Sequence, residues 1–169
     1  MRILGIDPGL VKTGWGVVDF TGNRLSYVAC GLIRTDSADD LPQRLKTIDD
    51  KMSEVVERWE PDMAAIEETF VNKNPASALK LGVARGVAMV VPARMGLPVA
   101  EYPANLVKKS VVGAGKAGKN QVGTMIKILL PASGEMGEDE ADALAVAICH
   151  AHHASSFGKF GGKLAGAAR

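Results

Sequence analysis

Cysteines and aromatic residues are scarce in this chain, and neither sign of charge is in large excess overall. The two cysteines, Cys30 and Cys149, stand far apart in apolar company. That spacing argues against a cysteine-ligated metal site or a disulfide framework, and both are expected as reduced core residues. Aromatic residues make up 5% of the chain, so an aromatic side chain in a polar segment needs an explanation. No unbroken apolar run reaches the roughly 18 residues that cross a membrane. The opening MRILGIDPG has no export-signal layout. A cytoplasmic protein without membrane contact is the expectation.

What is present is ordinary in bulk and uneven in distribution. At 169 residues and 47% hydrophobic, the chain suits one domain with a substantial core. Its net charge of +1 conceals a segregation. Residues 1–70 hold eight Lys and Arg against thirteen Asp and Glu, a balance of −5. Residues 71–132 hold nine basic residues against one acid, Glu101, a balance of +8, and residues 133–169 return to −2. A basic middle between acidic ends suits a polyanion-binding face beside a cation site. Solvated helix faces whose signs happen to cluster would look the same.

Residues 2–7, 13–20 and 24–34 read as strands, with Thr21-Gly22-Asn23 as a turn, giving an antiparallel meander. Apolar residues at 41, 45, 48, 52, 55, 56 and 59 keep a helical period, with Asp39 or Asp40 as cap and Pro61 beyond the end. A strand at 62–67 leads through a polar loop to Asn74-Pro75, an N-cap followed by proline at the first helical position, and a helix to about Met95. Within it Ala78, Gly82 and Gly86 recur every four residues. A close helix approach, inside the fold or against a second copy, would offset the cost of glycine there. A strand at 97–101, a helix from Pro103 to Val111, the GAGKAG loop, and helices at 119–130 and 138–153 complete a domain of residues 1–155. Residues 156–169 have no period and are expected as a disordered tail. The order of elements indicates an α/β protein with a mixed five-stranded sheet flanked by helices.

Four carboxylates stand at the edges of apolar segments. Asp7 follows ILGI, Glu67 follows MAAI, and Asp139 and Asp142 lie at i and i+3 in the first turn of the last helix. Burying an ion is costly unless it is paired or holds a metal. If the first and fourth strands are adjacent and parallel, Asp7 and Glu67 emerge at one sheet edge, where ligands gather in such sheets. With the Asp-x-x-Asp pair they would form an all-oxygen site suited to Mg²⁺ or Mn²⁺. Each residue also has a plainer reading. Asp7 can cap a hairpin, and the glycines of GIDPG and TGWG suit a backbone approaching phosphate, as in actin-like kinases. Glu68 competes with Glu67, although strand alternation favours Glu67. Asp139 can simply offset the helix dipole, Asp142 less so because it faces the apolar side. Phe70, in a polar loop, can staple the next helix or stack on an unpaired base. His150, His152 and His153 make no convincing metal set.

The blocks GIDPG-x4-TGWGV, AAIEETF-x-NKNPASALKLGVARGVA, VKKSVVGAGKAGKNQV and DEADALAVAICH, in this order and spacing, resemble the RuvC family of Holliday-junction resolvases over about residues 2–153. The resemblance implies a ribonuclease-H-like fold and a homodimer with two active sites. It implies cutting of four-way DNA junctions by paired symmetric nicks, in recombination and repair. It puts the catalytic acids, which are also the metal ligands, on Asp7, Glu67, Asp139 and Asp142. It puts the base-engaging aromatic on Phe70 and substrate-binding cations on Lys108 and Lys119. Lys119 would also offset charge at the reacting phosphate. Lys73, Lys80, Arg85 and Lys116 of the basic block are expected to add backbone contacts. Two Mg²⁺ ions, with Mn²⁺ as substitute, would bind one scissile phosphate, activate a water and stabilise the leaving 3′ oxygen, giving 5′-phosphate and 3′-hydroxyl ends. The branch-migration proteins RuvA and RuvB are the expected partners.

Three other functions fit parts of the sequence. A nuclease acting on ribosomal RNA precursors shares the GIDPG-like strand but lacks the ALKLGVARG and VVGAGKAGK blocks. A non-catalytic junction-binding module has no need of all four acids. An actin-like ATPase needs a second lobe, for which 169 residues leave no room.

Overall fold

In the computed structural model of the protein the described residues are 1–68, 74–113 and 119–159, with the side chains of 119, 120 and 155–159 outside the description. Five strands form one sheet: β1 (Arg2–Asp7), β2 (Lys12–Thr21), β3 (Arg24–Arg34), β4 (Met63–Glu68) and β5 (Val99–Pro103). Their order is β3-β2-β1-β4-β5. The first three make the antiparallel meander, while β4 and β5 run parallel to β1. The helices are α1 (Leu41–Trp59), α2 (Pro75–Arg94), α3 (Ala104–Val112), α4 (Lys119–Leu129) and α5 (Glu138–Lys159).

Side-chain alternation sorts each strand between two cores. Leu4, Ile6, Val17, Ala64 and Ile66 pack with Ile48, Met52 and Val56 of α1 and Ala84, Ala88 and Val91 of α2. Ile3, Val18 and Ala65 pack on the other face with α3, α4 and the alanine-rich body of α5. The central strand β1 is covered on both faces, which is why it reads as an unbroken apolar run.

Helix starts follow their caps. The Asp40 carboxylate accepts from the Gln43 amide at 3.0 Å, so Asp40 rather than Asp39 opens α1. The Asn74 side chain accepts from the amides of Ala76 and Ser77 ahead of α2.

Most boundaries fall within a residue of expectation, and three departures are larger. β5 begins two residues later than 97 because the Leu97 amide is still bonded to the carbonyl of Pro92 in α2. A 3-10 turn, Pro131–Ser133, stands between α4 and α5. Helix α5 runs to Lys159, so residues 156–159 are helical rather than tail, and 160–169 lie outside the described residues.

Helix α2 carries an apolar face that the fold leaves open. Among the described residues a Cβ at Gly82 or Gly86 would meet nothing within 4 Å, so close approach within this part of the chain does not account for these glycines. Leu79 is 71% exposed and Val90 52% exposed. By length and composition α2 could cross a membrane, although Lys80 and Arg85 break its apolar run. Its opposite face packs on the sheet and α1. Cys30 and Cys149 are free thiols, and burial pushes both above the usual thiol range.

Candidate active site

Parallel pairing of β1 with β4 matches Ile3 with Met63 and Ile6 with Ile66, so the next step sets Asp7 beside Glu67. Both belong to the alternation series that faces α5, Ile3-Gly5-Asp7 and Met63-Ala65-Glu67. Helix α5 lies against the strand backbones. A Cβ at Gly5 would overlap the carbonyl oxygen of Ala143, and one at Gly14 would overlap that of Asp139. Gly14 is the cross-strand partner of Asp7. These glycines therefore admit a helix, not a phosphate, which corrects the phosphate-approach reading of the opening motif. Beyond Asp7, the Thr13 hydroxyl donates to the Gly9 carbonyl at 2.7 Å and closes the turn. The first turn of α5 thus brings Asp139 and Asp142 to the edge where β1 and β4 end.

All four carboxylates are half-buried there. Burial raises the Glu67 carboxyl above the usual range, the neighbouring Asp142 charge raises it further, and Lys108 opposes them. Asp139 Oδ2 lies 3.8 Å from Lys12 Nζ. Among the described residues no three Asp, Glu, His or Cys side chains gather closely enough to form a metal cage. The acids share an edge without closing on a point. Like charges repel, and two ammonium groups act on the set, Lys12 at Asp139 and Lys108 on Glu67. The donor chemistry still fits a hard divalent cation: half-buried oxygens, with Glu67 kept costly to ionise by burial and by Asp142.

A cleft of about 350 Å³ opens beside Asp142, lined by Gly123, Thr124 and Lys127 of α4 and by Met136, Glu138 and Ala141. A larger one, about 500 Å³, lies between β3 and α1 around Trp15 and Trp59. It belongs to the opposite face of the sheet and holds none of the acids, so the smaller cleft is the one relevant to the site.

The family model described as "Crossover junction endodeoxyribonuclease RuvC" matches residues 3–150. The chain belongs to the RuvC family. A RuvC from Paramagnetospirillum magneticum is 60% identical over 153 residues, covering 90% of this chain and 92% of that one. A RuvC from Cereibacter sphaeroides is 54% identical over 169 residues, the full length of both. Thermus thermophilus RuvC in complex with Holliday junction substrate superposes with a TM-score of 0.85 at 32% identity, over 92% of this chain and 96% of that one. The yeast mitochondrial Holliday junction resolvase Ydc2 shares the fold alone, with a TM-score of 0.63 at 13% identity. The sheet order and helix placement are those of the ribonuclease-H-like resolvases.

The basic residues expected to hold DNA differ in their surroundings. Lys80 is exposed on α2, and Lys108 is half-buried with its charge felt at Glu67. Arg85 donates through Nε to the Glu67 carbonyl at 3.1 Å and pairs with Glu101. It braces the end of β4, the strand that carries Glu67. Arg94 pairs with Asp49 and Lys127 with Glu135, each at 2.8 Å, so part of the basic block is neutralised internally. Phe70, Lys73 and Lys116 lie outside the described residues, as does the side chain of Lys119, the first residue of α4. His150, on α5, shares a 2.8 Å hydrogen bond between Nδ1 and the Tyr102 hydroxyl, and its Nε2 sits 2.7 Å from Met63 Sδ, so the ring is buried between the helix and the sheet. Sequence reasoning missed Lys12. Its one signal was parity with Gly14 and Gly16 on a strand whose glycines seat a helix.

Proposed function

We propose that the protein is a structure-selective endonuclease that resolves four-way DNA junctions in recombination and repair by paired, symmetric nicks. The observation that carries this reading is the parallel pairing of β1 and β4 beneath the start of α5. It brings Asp7, Glu67, Asp139 and Asp142 to one sheet edge in a chain of the RuvC family. Two Mg²⁺ ions, with Mn²⁺ as substitute, would be held by these four carboxylates and would supply an activated water and charge neutralisation at the scissile phosphate, leaving 5′-phosphate and 3′-hydroxyl ends. Asp7, which ends the central strand, would be the ligand shared between the two ions. Lys108 and Lys119 offset the negative charge that grows on the phosphate during cleavage. Phe70 stacks on a base near the crossover. Lys73, Lys80 and Lys116 hold the DNA backbone in a salt-dependent way, while Arg85 keeps the end of β4 in place. The exposed face of α2 supports a homodimer, which supplies one site for each of two nicks. Such an enzyme works on cytoplasmic DNA beside the branch-migration proteins RuvA and RuvB.

The test is nicking of a labelled four-way junction with a metal titration. Asp7→Asn should abolish nicking while binding in a gel-shift assay is retained, and chelation should do the same to the unaltered protein, reversed by Mg²⁺ or Mn²⁺. An Asp7→Asn protein that cuts at the unaltered rate would remove the site assignment. Preferential cleavage of structured RNA would favour the RNA-processing alternative, and binding without nicking at any metal concentration would favour a scaffold.

A further inference from the structure

Lys12 stands at the site without a part in the reading above. Its position follows from strand parity. Lys12, Gly14 and Gly16 alternate onto the face of β2 that α5 covers. Because Gly14 has no Cβ, the Asp139 carbonyl rests directly on the strand, which pins the first turn of α5 beside residues 12–14. One alternation step further out, Lys12 projects past the helix start, with Nζ 3.8 Å from Asp139 Oδ2.

As a stabilising element this pair is weak. Its side chains are 46% and 36% exposed, and an open ion pair of that kind contributes little. The packing of α5 on the two sheet strands holds the helix without it. The electrostatic setting gives it a different use. Glu67 and Asp142 repel each other, and the Lys108 charge opposes that repulsion. Lys12 adds a second ammonium, at Asp139. The acids share an edge, and no three of them gather closely.

We propose that Lys12 is a positioning residue: an internal counter-ion that holds Asp139 while no divalent cation is bound and releases it when one arrives. The inference rests on the reading of the four acids as a cation-binding set. It makes Lys12 a determinant of metal affinity, because an arriving cation must displace a charge already present.

The experiment titrates the full chain, without DNA, with Mn²⁺, following the free-ion signal by electron paramagnetic resonance and the heat by calorimetry. Lys12→Met should lower the Mn²⁺ dissociation constant about three- to tenfold, the range for a single partly screened charge a few ångströms away. Lys12→Arg keeps the charge and should bind like the unaltered protein. In an Asp139→Asn background Lys12→Met should have a much smaller effect. Asp7→Asn serves as the control for the site itself, and circular dichroism melts check that each variant is folded. If the unaltered protein binds Mn²⁺, Asp7→Asn weakens it and Lys12→Met changes nothing, the role of Lys12 is overturned and the metal site stands. If the unaltered protein takes up no Mn²⁺, both readings fall.

Discussion

Gly14 does more for the site than its size suggests. It is paired with Asp7 across the strands and lies under the backbone of Asp139, so one missing methyl brings two of the acids together. In Gly14→Ala the new carbon would meet a carbonyl oxygen in the helix backbone, which has no rotamer to escape into. The first turn of α5 would have to lift. We expect a loss of roughly 1–3 kcal/mol in urea denaturation, as for other overpacked contacts, together with a large loss of nicking. Unchanged nicking with this variant would show that the close contact does not set the site. The half-buried placement of the four acids at one sheet edge was legible in the sequence, because a carboxylate bordering an apolar run is expensive wherever it lands. Lys12 and Arg85 were not. Lys12 matters only through the meeting of β2 with α5, and Arg85 resembles any other DNA-binding cation until its partner, the Glu67 carbonyl, is seen eighteen residues away.

Helix α5 meets the sheet at its start and again just past its middle. Near its start lie the acids, and eight residues past Asp142 the His150 ring bridges Tyr102 of β5 and Met63 of β4. Burial holds His150 below the usual histidine range, and His153 nearby depresses it further. The folded protein therefore takes up this proton later than the unfolded chain does. Stability should fall as pH drops from about 6.5 towards the lower folded value, and level off below it for this group. The contribution is bounded by about 1.4 kcal/mol per pH unit for one proton. His150→Gln should flatten the pH dependence of the urea midpoint between pH 7 and 5 relative to the unaltered chain. Identical slopes for the two proteins would sink the idea. Elements with caps and clear periods, α1 and α2, were readable from local chemistry. The end of α5 was not, since an alanine-rich helix can continue after its amphipathic pattern has faded.

Across the whole molecule, the sheet order could be expected only conditionally from the sequence. Strand types were visible, but the adjacency of β1 and β4 depends on long-range pairing that no local pattern encodes. The same holds for α2. The spacing of Ala78, Gly82 and Gly86 left internal packing and a second copy equally open, and among the described residues nothing packs over either glycine, which favours the second. Leu79, Gly82, Gly86 and Val90 follow one stripe of the helix. A chain carrying Leu79→Glu and Val90→Glu should sediment as a monomer, and its nicks on a junction should become uncoupled in time. Sedimentation of the unaltered protein as a monomer, with and without junction DNA, would rule out this face as the interface.

The contact between α5 and the sheet has a last consequence, for how far the sequence can wander. At Gly5 and Gly14 the layers touch through main-chain atoms, which every amino acid possesses. Exchanging one apolar side chain for another in either core alters how well the layers are filled, yet leaves that main-chain stop where it is. The separation of the acids is thereby insulated from drift in the hydrophobic interior. The vulnerable points are few: added bulk at a handful of glycines does what many core replacements would not.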